Sequence, residues 1–302
     1  MENTNHQSPI TNHRLYVDLH LHSTCSDGVF PPDEVVRMAA RAGLAAVALA
    51  DHDNIDGIDA ALVAGAEVGV EVISGVELSV VWEAIQDIHL LGYGFDHRDA
   101  DLRAALQSFR EFRETRNERI VERVNEKLLS EGRAPIDIAA VKAKAGGALG
   151  RPHIAMALLD DGHVATKDEA FVRYLVPCNL EKRYFPIAEA IDLIHRAGGV
   201  TVLAHPPFIP VDRKGLLALL DTFAALGLDG VEAYNTGASN DDIDWMITQT
   251  RRRGMIVTGG SDFHGIEGGE IVIGGGRGNL KIPYACVEEI RAVIEKRRTA
   301  QG

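Results

Sequence analysis

The pattern that most restricts the fold is a repeated switch from short apolar runs to amphipathic segments. Residues 16–21, 45–50, 70–74, 88–93, 200–204, 230–233 and 256–259 have the length and composition of buried strands. Segments of helical periodicity, such as 32–42 and 188–197, lie between strands. Pro32 suits a helix first turn and Gly43 its C-terminal stop. Strands alternating with helices argue for an α/β fold in which helices close or wind a parallel sheet. At 302 residues, 46% of them hydrophobic, the chain is long enough to bury such a core.

Two stretches depart from this rhythm. Residues 77–82 and 87–93 are separated by too few residues for a crossover helix, so they predict an antiparallel hairpin. Its register stays open, and with it whether Glu77 and His89 share a face. From 99 to 176 the periodicity is helical throughout. The expected organisation is a barrel built from 14–98 and 177–302, interrupted by a helical insertion over 99–176. Residues 1–13 are polar and read as a flexible tail on a cytoplasmic protein.

Composition removes several function classes. No apolar run approaches the ~20 residues needed to cross a bilayer. The three cysteines, Cys25, Cys178 and Cys286, form no CxxC pair, which leaves neither a zinc ribbon nor a disulfide framework and suits reduced thiols. A net charge of −13 argues against a grip on long duplex nucleic acid. An anionic substrate must then be captured locally, by cations or a few arginines.

The chemistry-bearing residues cluster near strand ends. In Asp18-Leu-His-Leu-His22, residues two apart point to one side of a strand, so Asp18, His20 and His22 line one face, and Asp27 follows in a Ser/Asp/Gly turn. His52 follows an apolar strand, Glu77 follows a strand and a glycine, and His89 falls early in its run. His205 precedes Pro206 at a strand end, and Asp262 and His264 are again two apart. In barrels of β/α units the C-terminal rim carries the chemistry. Six histidines and three carboxylates exceed one four-coordinate zinc. They fit two or three cations, and the nitrogen and oxygen donors suit manganese, zinc or iron. Any one of these histidines could instead be an ordinary hydrogen-bonded residue; six pieces, each beside a strand, argue for a common site. His6, His13, His97, His163 and His195 lack that context.

The segments DLHLHSTCSDG, ALADHDN, SGVEL, HLLGYG, AHP and SDFH, in this order between about residues 15 and 264, resemble the PHP (polymerase and histidinol phosphatase) family of the amidohydrolase superfamily. The resemblance implies a distorted seven-stranded β/α barrel of TIM-like type with three divalent metal ions, manganese first among them. By analogy His20, His22, Glu77 and Asp262 hold one ion, Asp27, His52 and His264 a second, and Glu77, His89 and His205 a third, with Glu77 bridging. Three dications against three carboxylates leave a site of about +3 that attracts phosphate. The implied activity is phosphoester hydrolysis, with a metal-bridging hydroxide attacking phosphorus.

The segment 150–155, GRPHIA, is similar to one in the branch containing 3′,5′-nucleoside bisphosphate phosphatases and 5′–3′ exoribonucleases. It carries over Arg116, Arg151 and His153 as phosphate binders, with the insertion covering the active site. Arg113, Arg116, Arg119 and Arg123 share one predicted helix, but Glu111, Glu114, Glu118 and Glu122 interleave and also describe a solvated surface. Phe208 and Tyr234 offer either base stacking or rim packing. The glycine-rich 274–278 lacks a following GK[ST] and reads as a loop. The expected substrate is a small phosphorylated nucleotide: a 3′,5′-nucleoside bisphosphate first, short 5′-phosphorylated RNA next. Histidinol-phosphate hydrolysis, a non-catalytic metal-stabilised binding module and C–N amidohydrolase chemistry are the alternatives.

Overall fold

The computed structural model describes residues 16–145, 149–266, 269–278 and 280–301; the expected tail at 1–13 lies outside them. The first half alternates strand and helix: β1 (Tyr16–Leu21), α1 (Pro32–Arg41), β2 (Ala46–Leu49), α2 (Ile58–Val68), then β3 (Glu71–Trp82) and β4 (Ile85–Tyr93). Four helices follow, α3 (Ala100–Ser130), α4 (Ile138–Ala145), α5 (Arg151–Asp160) and α6 (Lys167–Ala170), the last running into a π-helical turn at Phe171–Leu175. The alternation resumes with β5 (Phe185–Pro186), α7 (Ile187–Arg196), β6 (Val200–Leu203), α8 (Arg213–Ala225), β7 (Gly230–Asn235), α9 (Asn240–Arg252), β8 (Ile256–Gly260), β9 (Ile282–Pro283) and α10 (Ala285–Gln301).

The strands lie in the order β8-β7-β6-β4-β3-β2-β1-β9, and β5 pairs with β3. The ends approach each other: Asp262 N–H donates to His20 O at 3.0 Å, and His22 N–H donates to Phe263 O at 3.0 Å. The result is a nearly closed, barrel-shaped sheet. Eight strands follow one another along it rather than the seven expected, because the two-residue β9 adds itself antiparallel to the outer edge of β1. The sheet is also mixed rather than parallel, since β4 runs antiparallel to both β3 and β6.

The hairpin is present, but 70–74 and 77–82 form one 12-residue strand, β3. Gly75 permits this. A Cβ there would sit 2.4 Å from the carbonyl oxygen of Leu49, so only glycine lets β2 and β3 stay paired through that point. The register pairs Glu77 with Leu91 and Ser79 with His89. Cross-strand partners share a face, so Glu77 and His89 lie on the same side of the sheet as diagonal neighbours.

Helix α1 has Pro32 in its first turn, and Gly43 just past its end has φ +78°. Its buried face, Val35, Val36 and Ala39, packs with Val47 and Leu49 of β2 and Ala61 and Ala64 of α2. A second cluster joins Val17, Leu19, Ala46, Ala48, Leu91 and Val202 with Val287 and Ile290 of α10. The helices after β4 have their own apolar cluster around Ile120, Val124, Leu128, Ile154, Leu158 and Tyr174. No helix among the described residues is long and apolar enough to cross a membrane.

Candidate metal centre

All nine predicted ligands converge at one end of the sheet. Glu77 is central and fully buried. Its Oε2 lies 3.3 Å from His20 Nε2, 3.4 Å from His22 Nε2 and 3.0 Å from His52 Nδ1. Its Oε1 lies 2.9 Å from both His89 Nδ1 and His205 Nε2. One carboxylate thus faces five imidazoles, divided between its two oxygens. Asp262 Oδ1 stands 3.1 Å from His22 Nε2, and Asp27 Oδ1 stands 3.3 Å from His264 Nε2.

Backbone pairing sets these positions. The ladder between β2 and β3 continues as Glu77 N–H donates to Asp51 O and Asp53 N–H to Glu77 O, which puts His52 beside Glu77. Ala204 N–H donates to His89 O, bringing His205 to His89. His205 and Asp262 hold left-handed backbone conformations, φ +25° and +58°. Such non-glycine geometry costs about 1–3 kcal/mol each and survives where surrounding contacts dictate it.

The donor set fits cations. Ligating atoms of His22, Asp27, His52 and His264 lie within 4.8 Å of one another, as do those of His20, His22 and Asp262, and those of His52, Glu77 and His89. His20 Nε2, His52 Nδ1 and Glu77 Oε2 are buried without a hydrogen-bond partner. Polar atoms left so deep in a fold call for a ligand. The partition implied by the resemblance is only partly reproduced, because His22 and His52 each belong to two of these groups.

Charge in the metal-free chain follows the same crowding. Burial opposes ionisation of Glu77, Asp27 and Asp262, yet the surrounding histidines hold all three well below the usual carboxylate range. Burial also opposes a charge on His264, but Asp27 and Asp262 raise it to about 9. His20 is raised well above its ordinary value: burial opposes this, and Glu77, Glu232 and Asp262 outweigh it. For His52 burial dominates and lowers it to about 3. A cation entering here competes with the protons on His20 and His264.

Sequence reasoning missed Glu232. Its Oε1 lies 2.9 Å from His20 Nδ1, and its Oε2 accepts the backbone N–H of His205 at 2.7 Å. It therefore fixes the His20 tautomer, turning Nε2 to the centre, and holds the strained His205 backbone. The available signal was a glutamate inside a run otherwise apolar enough to be a buried strand. We expect Glu232→Gln to lower metal affinity about 10- to 100-fold with the fold retained. Titration of the apo protein with manganese checks this, and an unchanged affinity would remove Glu232 from the support of the centre.

Two buried aspartates, Asp18 and Asp51, and the partly buried Asp53 hold loops. Asp18 accepts Ser261 N–H and Gly274 N–H at 2.9 and 2.7 Å, so the glycine-rich 274–278 begins by capping this carboxylate. Burial raises Asp18 to about 6 despite these bonds. Asp51 accepts from Ser23 and Ser26, and Asp53 from Ser79.

The predicted phosphate binders separate. Arg116 is 7% exposed, and its guanidinium donates to Leu180 O, Glu181 O and the side chains of Asn117 and Asn179. It ties α3 to the segment before β5. Arg151 and His153 open α5 and are half-buried. Gly150 N–H donates to His153 Nδ1 at 3.0 Å, so neutral His153 carries its proton on Nε2. Burial lowers its pKa, while Asp27 and Arg113 act on it with opposite signs.

Comparison with known proteins agrees with this geometry. The family described as the PHP domain matches residues 18–175. A 5′–3′ exoribonuclease of Haemophilus influenzae is 38% identical over 250 residues, covering 82% of this chain and 89% of its own. A 3′,5′-nucleoside bisphosphate phosphatase of Chromobacterium violaceum is 33% identical over 260 residues, covering 82% and 87%. The crystal structure of a protein assigned as a metal-dependent phosphoesterase, from Bifidobacterium adolescentis, superposes with a TM-score of 0.76 at 31% identity, covering 91% and 95%. With a barrel-end cluster of histidines and carboxylates and relatives of this length and similarity, the chain belongs to the PHP-domain family and is a metal-dependent phosphoesterase, a hydrolase of phosphoric esters.

Proposed function

We propose that the protein removes the 3′-phosphate of 3′,5′-nucleoside bisphosphates and also accepts short 5′-phosphorylated RNA. The observation that carries this reading is a second cationic set beside the first. The guanidinium groups of Arg113 and Arg151 have no hydrogen-bonding or carboxylate partner among the described residues. Arg113 acts on Asp53 and His153, and Arg151 acts on Arg116 and Tyr184. Arg151 lies over the Phe171 ring, 5.9 Å from its centroid, which leaves its N–H donors open. Two guanidinium groups without a hydrogen-bonding partner and a neutral Nε2–H donor beside a metal centre suit a substrate with one phosphate at each place. A substrate with a single phosphate, such as histidinol phosphate, leaves the second set without a partner. The names of the exoribonuclease and bisphosphate phosphatase relatives support the same class.

In this reading the nine side chains hold three divalent ions, manganese first, with zinc or iron also suited to the donors. Cations bound there act as Lewis acids towards a phosphoryl oxygen and lower the pKa of water. Glu77, whose two oxygens face different histidines, would serve as a ligand common to more than one ion. Arg151, His153 and Arg113 orient the second phosphate. Arg116 keeps α3 against the segment before β5, so its charge reaches Arg151 without direct contact with substrate. Helices α3 to α6 form the insertion covering the mouth. Three free cysteines suit a cytoplasmic enzyme.

Manganese-loaded protein should release phosphate fastest from adenosine 3′,5′-bisphosphate in a panel with 5′-AMP, 5′-phosphorylated RNA and histidinol phosphate. Arg151→Ala should raise KM for the bisphosphate about tenfold or more, the scale of a charge-assisted hydrogen bond. Turnover of histidinol phosphate alone would overturn the nucleotide reading.

A further inference from the structure

Phe208 is the most exposed aromatic side chain among the described residues, at 64%, against 41% for the next phenylalanine, Phe112. An exposed phenyl ring usually belongs to a mobile loop tip. This one is fixed. It ends the 3₁₀ turn Pro206–Phe208, where two prolines restrict the backbone. Phe208 N–H donates to His205 O at 3.0 Å, and Ile209 N–H to Pro206 O at 3.1 Å, with Pro206 and Ile209 both buried.

The ring is also seated. It stands edge-on to His205, with centroids 5.6 Å apart and planes at 65°. Behind it is Gly237, where an added Cβ would lie 2.7 Å from Phe208 Cζ. The loop after β7 therefore leaves room for this ring at Gly237. A large apolar surface on a hydrogen-bonded turn thus stands one side chain away from the metal centre, in contact with a proposed ligand. Tyr234, the other aromatic of interest, is different: it packs into the core beside Gly259.

We infer that Phe208 is the stacking platform for the nucleobase of the substrate. The inference rests on the nucleotide reading above and narrows it to a substrate carrying a flat ring. A phenyl face tolerates any base, because every base has a π-face, so Phe208 selects nucleotides over other phosphate esters without selecting among bases. The restrained turn beneath it matters, since less backbone freedom remains to be lost on contact. The metal centre and the arginines then hold phosphates, while Phe208 holds the base between them and solvent.

The test is equilibrium binding of AMP and of ribose 5-phosphate to the manganese-loaded full-length protein. The two ligands share ribose and phosphate and differ by the base. Wild type should prefer AMP by about 5- to 150-fold, the range for one base stacked on one aromatic ring. In Phe208→Ala the preference should fall to within about threefold of unity, and Phe208→Trp should restore it. Equal affinities in wild type, or an undiminished preference in Phe208→Ala, would overturn the inference. Because binding is read directly, an enzyme that hydrolyses neither bisphosphate nor RNA would sink the proposed function and still leave the stacking result readable.

Discussion

Glu77→Gln should reduce kcat by roughly 10³-fold or more, on the scale of deleting a principal transition-state-stabilising group. The change keeps shape and volume but removes the charge that five imidazoles face. His20, His22 and His52 surround one oxygen, and His89 and His205 the other. A neutral amide offers one oxygen and one N–H₂, so one of the two groups of histidines must confront a donor instead of an acceptor. Bound metal per chain should fall alongside activity, read by elemental analysis after gel filtration. Circular dichroism should remain that of wild type, because Glu77 makes its backbone hydrogen bonds irrespective of its side chain. A Glu77→Gln protein with full metal content and activity would dissolve the idea of a shared carboxylate.

The second large effect is structural. A Cβ added at Gly260 would lie 2.0 Å from His20 Cβ, 2.6 Å from His20 N and 2.8 Å from His20 Cα. Two of these three are backbone atoms, which cannot rotate away. Gly260→Ala therefore must push β8 from β1 at the place where the sheet ends meet. We expect a loss of about 3 kcal/mol or more, the upper range for an overpacked site, and roughly 5–10 °C in Tm. Gly43→Ala is the comparator. Gly43 has φ +78° and nothing within 4 Å of an added Cβ, so only the left-handed conformation is penalised, by about 1 kcal/mol. Differential scanning calorimetry of both variants decides the matter. Equal, small shifts would show that the sheet ends have slack.

Much of this was legible in the sequence because strands and metal ligands leave local signatures. The runs at 16–21, 45–50, 200–204, 230–233 and 256–259 all became strands within two residues at either end. Their flanking histidines and carboxylates then had to meet, since these five strands run in one direction and their C-terminal ends lie together. Information that lies between segments was not legible. The β3–β4 register depends on which residues face each other across the hairpin. Gly75 looked like punctuation, but it is a close-packing position inside one strand. Glu232 was concealed by the apolar residues around it, and its role appears only when His20 and His205, 185 residues apart, stand on either side of it. For Arg116, the helical stripe placed the residue correctly but could not reveal that carbonyls of residues 180 and 181 engage its donors.

The meeting of β8 with β1 also fixes a timetable. His22 and Asp262 are 240 residues apart in the chain and 3.1 Å apart in the fold. At about 5–20 residues per second, a ribosome needs roughly 12–48 s to travel from one to the other. Throughout that interval the histidines of the first strand have been made and the aspartate that completes their surroundings has not. Metal captured early would be held by an incomplete set, through ligands from the β1–β4 segment alone. The centre is thus finished only once residue 262 has been made, and a nascent chain stalled before residue 262 should carry its metal loosely or not at all.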